Sequence, residues 1–124
     1  MAYFWVALGG AFGAAARYGI VHWMSTRWGM AFPWGTLAVN VTGSLAIGLL
    51  AALLATRATD PALRLLLITG LLGGYTTFSA FSFETLALIT AERWAAAAGY
   101  IAASVLLGLL ASALGLALAT IMTR

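Results

Sequence analysis

Of the 124 residues, 64% are hydrophobic and 7% charged, and the mean hydropathy is +1.04, a composition that excludes a soluble globular domain and places the chain in a lipid bilayer. Six arginines and no lysine stand against Asp60, Glu84 and Glu92, for a net charge of +3, too sparse for the clustered basic face that a nucleic-acid partner requires. The absence of cysteine removes disulfides, thiolate metal sites and thiol redox chemistry.

At about 20 residues per crossing the chain holds one domain of four spans, predicted near residues 3–24, 35–56, 62–90 and 94–122. No Lys or Arg precedes the first apolar run, as a cleaved signal would require, so this run is expected to stay as a span. Gly9 and Gly13 have the small-xxx-small spacing that lets helix backbones approach closely in lipid. Arg17 lies inside the span. It either faces a partner or water within the bundle or extends its head to the interface.

Trp23, Trp28 and Trp34 flank the first loop and predict an interfacial aromatic belt. In the second span Thr36, Asn40 and Ser44 recur every four residues, and Gly48 continues the same face. A mid-span amide must hydrogen-bond something in lipid. The stripe of three polar residues favours the wall of a pathway over simple interhelical bonding.

Asp60-Pro61 marks a turn that starts the third span. Unbroken, residues 62–91 would make a helix of about 45 Å, longer than the hydrocarbon core. Gly73-Gly74, followed by Thr76 and Thr77, is where a break is expected, because glycine weakens a helix. Broken backbone at membrane depth persists where it is buried in protein or lines a hydrated route, and its carbonyls often hold a cation. Phe78 and Phe81, three apart, share a face beyond it, with Ser79, Ser82 and Glu84 turned elsewhere. Positive ring edges there can help an anion shed water. In the last span Tyr100, Ser104, Gly108 and Ser112 form a small, polar face, read as packing at Gly108 and Ser112 and as route lining or packing at Tyr100 and Ser104.

Arg57, Arg64 and Arg124 fall on one side of the four spans, and Arg27 and Arg93 on the other. So small an asymmetry sets no orientation, and four helices alone make a thin wall. An antiparallel homodimer, with pathways walled by both subunits, is expected.

Residues 73–82, Gly-Gly-Tyr-Thr-Thr-Phe-Ser-Ala-Phe-Ser, resemble the signature of the Fluc family of fluoride channels, also called CrcB proteins. Gly9-Gly10-Ala11-Phe12-Gly13 leading to Arg17-Tyr18, then residues 35–40 ending in Asn40, then Gly43-Ser44, agree in order. The resemblance implies an all-α integral membrane protein of four transmembrane helices with a break in the third. It would form a dual-topology antiparallel homodimer in a prokaryotic plasma or inner membrane. It further implies passive export of cytoplasmic fluoride, which reduces its toxicity, through two pathways. A structural, non-transported sodium ion would be held by the backbone carbonyls of Gly73 and Thr76. Phe78, Phe81 and Asn40 match pore residues, Tyr100 and Ser104 the lining of the fourth span, and Ser79, Thr36 and Glu84 positions near the polar path. Arg17 matches an arginine near the aqueous end of the first span.

The chain departs from the family pattern at Ala80, where threonine is usual, at Gly108, where a hydroxyl is common, and at Tyr75, which replaces an apolar residue. The competing reading is a proton-coupled exporter of the small multidrug resistance type, similar in size and span number. Such proteins depend on a first-span carboxylate, absent here, and Glu84 is the only intramembrane acid. An enzyme is not expected, because no paired acids or nucleophile–base constellation can be placed.

Overall fold

The computed structural model describes residues 1–55 and 59–124; Thr56, at the predicted end of the second span, and Arg57, among the loop charges, lie outside the described residues. Helix α1 spans Ala2–Trp28 and continues past residue 24 until Gly29, whose φ of 77° ends it while the glycine N–H bonds the Ser25 carbonyl at 2.9 Å. Only glycine adopts that backbone without strain. A short loop leads to α2, Trp34–Ala55.

The third span is composite. Asp60 caps α3 (Pro61–Arg64) by accepting the Ala62 N–H at 2.9 Å, with Pro61 in the first turn where no N–H is needed. A π-helical segment, Leu65–Leu72, follows, then the single turn α4, Gly73–Tyr75. Thr76 (φ −83°, ψ 156°) and Thr77 (φ −152°, ψ 120°) are extended, and α5 then covers Phe78–Thr90. The two glycines are therefore helical, and the extended residues are the threonines after them. Threonine hydroxyls take up backbone groups at this point: Thr76 Oγ1 donates to the Leu72 carbonyl at 2.9 Å, and Thr77 Oγ1 accepts the Ala80 N–H at 3.2 Å as the cap of α5.

Glu92, at φ 58°, turns the chain into α6, Trp94–Met122. At this end the Arg93 guanidinium donates to the Ala31 carbonyl and ties the two loops together. Among the described residues four helical stretches, Pro61–Thr90 counted as one, are long and apolar enough to cross a membrane.

Packing sorts these helices into pairs. The first half of the third span lies along α1, α6 lies along α2, and beyond the extended residues α5 moves against α6. Backbones meet closely where side chains are absent. A Cβ on Gly9 or Gly13 would overlap the carbonyl oxygens of Leu66 and Leu71, and one on Gly74 would lie 2.6 Å from the Gly10 carbonyl. Gly48 and Gly115 serve α2 and α6 in the same way. Van der Waals contact between small residues is what holds helices together in lipid, where apolar burial adds little. A small core gathers Leu37, Leu88, Ala97 and the fully buried Tyr100, while leucines along α6 face outward.

Candidate functional site

Around its extended residues the third span is held from two helices. From α2, the Asn40 side chain pairs with Thr77 in two hydrogen bonds: Nδ2 donates to the Thr77 carbonyl at 2.9 Å, and Oδ1 accepts the Thr77 N–H at 2.8 Å. One amide thus satisfies both polar groups of a residue that the helix has released. From α1, half-buried Arg17 donates through Nε to the Gly74 carbonyl at 3.2 Å. Its charge is therefore used inside the bundle, where a freed carbonyl needs a donor. Gly43 of α2 makes room for the Thr76 methyl and the Tyr75 ring.

Beside this junction lies a cavity of about 410 Å³ whose lining includes Asn40, Ser44, Gly73, Thr76, Phe78, Phe81 and Ser104. The two phenylalanine rings are 5.6 Å apart and tilted by 48°. Ser104 Oγ is buried and has no hydrogen-bond partner among the described residues. A buried hydroxyl without a partner is costly, and Ser104 is one of the residues that line the cavity.

A second cluster sits one turn further along α5. The two carboxylate oxygens of Glu84 each accept a hydroxyl at 2.7 Å, Oε1 from Thr36 and Oε2 from Tyr100. Thr36 and Tyr100 are buried at 2% and 0% exposure, so α2, α5 and α6 meet on this acid. The Tyr100 ring is packed edge-on against Phe81 at 5.2 Å and Phe32 at 5.4 Å. A smaller cavity, about 130 Å³, reaches Thr36 and Glu84 from the loop between α1 and α2.

The family model described as "CrcB-like protein, Camphor Resistance (CrcB)" matches residues 4–116. The chain belongs to the CrcB family. Among its curated relatives is the fluoride-specific ion channel FluC of Rhizobium etli, 56% identical over 117 residues, which cover 92% of each chain. The FluC proteins of Rhizobium meliloti (52% over 114 residues, 91% of each) and Chloroflexus aurantiacus (48% over 114 residues, 91% of this chain and 90% of the relative) are similar to it at the same span.

For this CrcB chain the structure brings Asn40, Phe78, Phe81 and Ser104 to one cavity, with Gly73 and Thr76 beside them. Thr36, Tyr100 and Glu84 are brought together apart from it, although Thr36 shares a helical stripe with Asn40. Ser79 is exposed, its hydroxyl 3.1 Å from that of Thr77. Arg17 reaches Gly74 and does not line the cavity. Sequence reasoning missed Thr77, which both caps α5 and binds Asn40, and the pairing of the Tyr75 and Thr42 hydroxyls at 2.9 Å. The cap was legible, since a threonine directly before a resuming helix is a common N-cap. The Tyr75–Thr42 pair was not, because it depends on how the single turn α4 rests on α2.

Proposed function

We propose that the chain is a fluoride channel that lets cytoplasmic fluoride leave passively, working as an antiparallel homodimer with a structural sodium ion at its centre. The observation that carries this reading is the cavity lined together by Asn40, Ser104, Phe78 and Phe81. Fluoride holds water tightly, so a selective route must supply replacement donors that bind weakly enough to release the ion. A hydroxyl, an amide N–H and positive ring edges are such a set, and none carries full charge. The names of the curated relatives specify the same ion, and the family consists of channels rather than enzymes.

Support for a partner copy comes from the outer surface of the spans. Thr42, Thr69, Gly73 and Ser79 are exposed within the membrane-spanning segments, a small and polar surface that suits protein better than hydrocarbon, although the Thr42 and Ser79 hydroxyls have partners within the chain. A second copy facing this surface would cover them and complete the wall of the route.

The donor chemistry also fits sodium. Arg17 occupies the Gly74 carbonyl and Asn40 that of Thr77, whereas the Gly73 and Thr76 carbonyls accept no hydrogen bond among the described residues. Oxygen atoms freed by an interrupted helix suit a hard cation. Gly73 and Thr76 would supply them from each subunit, and the bound ion would neutralise partial negative charge where two breaks meet.

Export follows from acid chemistry: hydrogen fluoride crosses lipid as a neutral molecule, ionises inside, and the trapped anion leaves through the channel. A proton-coupled exporter gains no support, because both oxygens of Glu84 are already engaged by hydroxyls. The test is ion flux from liposomes loaded with potassium fluoride or potassium chloride. Fluoride efflux is expected to exceed chloride efflux and to fall with Phe78→Ile. Equal fluxes, or none, would overturn the reading.

A further inference from the structure

We infer that Asn40 is a positioning residue for the cation site: it aims the Thr76 carbonyl by holding the other end of the same peptide group. This rests on the sodium reading above. The Thr77 N–H and the Thr76 C=O belong to one peptide plane. The described residues contain no cis peptide bond, and in a trans peptide the two groups point in opposite directions within a rigid plane. Asn40 Oδ1 accepts the N–H at 2.8 Å, so the Thr76 carbonyl is directed away from Asn40 and α2.

Without that bond the orientation of the plane would depend on the Thr76 ψ and Thr77 φ torsions, and Thr76 ψ is the one that departs most from helix. Its value, 156°, is far from the helical value near −42°, and no helical hydrogen bond defines it. The second bond, from Asn40 Nδ2 to the Thr77 carbonyl at 2.9 Å, orients the next plane as well. Both peptide planes flanking Thr77 are therefore referenced to one side chain on a continuous helix. Accepting the N–H also polarises the shared peptide and strengthens its carbonyl as a ligand.

An amide nitrogen has two N–H donors, and only one is used on Thr77. Asn40 also lines the cavity with Phe78, Phe81 and Ser104. The same side chain thus belongs to the anion route and sets the geometry of the cation ligand.

The experiment uses the full chain in lipid nanodiscs, with hydrogen exchange of the Thr77 amide read by NMR and sodium affinity read by sodium line broadening. Asn40→Ala is expected to speed Thr77 exchange and to raise the sodium dissociation constant, each by about tenfold, the effect of losing one buried hydrogen bond. Ser104→Ala, in the same cavity but away from the break, is expected to leave both unchanged. Slower fluoride flux in Asn40→Ala with unaltered sodium affinity overturns the inference, whether or not Thr77 exchange changes. So does a wild-type chain that binds no sodium. If Asn40→Ala does not fold, sodium is titrated into the wild type: a shift of the Asn40 Nδ2 resonance supports the coupling and a fixed resonance overturns it. Neither readout requires flux, so failure of fluoride conduction is a separate result.

Discussion

Ser104 and Glu84 show two opposite ways of placing a polar group inside a membrane bundle. Both carboxylate oxygens of Glu84 are satisfied by Thr36 and Tyr100 at 2.7 Å, which makes the acid a junction for three helices. The buried hydroxyl of Ser104 has no partner among the described residues, and leaving such a group unmade costs about 1–3 kcal/mol. Removing the hydroxyl would remove that cost. Ser104→Ala is therefore expected to leave thermal stability unchanged or raise it by about 1 kcal/mol, while fluoride efflux from liposomes drops. A drop in melting temperature with full efflux would assign Ser104 to packing.

Among the elements, the third span decides how the bundle is put together. Its π-helical segment and single turn follow α1, and the two extended threonines let α5 move across to α6. The first contact depends on backbone proximity at glycine. A Cβ on Gly13 would overlap the Leu71 carbonyl and lie 2.8 Å from the Tyr75 nitrogen. Since these are backbone atoms, relief requires the helices to separate. Gly13→Val is expected to destabilise the chain by about 1–3 kcal/mol and to disturb Arg17 on Gly74, which depends on the same contact. Gly19→Ala, with nothing within 4 Å of the added carbon, should change stability by less than about 0.5 kcal/mol. Thermal unfolding of both variants in one detergent compares them directly.

For the whole molecule the question is orientation. In chain order Arg57, Arg64 and Arg124 fall on one side of the four spans, and Arg27 and Arg93 on the other, so positive charge gives the inserting chain little direction. The chain has no cysteine, which permits a direct measurement. Thr26→Cys, exposed near the end of α1, should react with a membrane-impermeant thiol reagent from each face of intact cells and inverted vesicles, roughly half from each. Labelling from a single face would rule out dual topology.

Membrane residence, four apolar stretches and the CrcB motif were legible in the sequence, because hydropathy, span length and a run such as residues 73–82 are properties of the chain itself. The sequence also located the region of the third span where regular helix is weakest. Which residues are extended there was decided by tertiary contacts. Gly73 and Gly74 remain helical, with Gly74 close to Gly10, while Thr76 and Thr77 leave the helix because their own hydroxyls and the Asn40 amide satisfy the released backbone. Helical spacing placed Thr36 and Asn40 on one stripe, yet their partners differ, Glu84 for one and Thr77 for the other. A stripe records which way side chains leave a helix. What they meet depends on how the neighbouring helix is interrupted, and only the packed bundle contains that information.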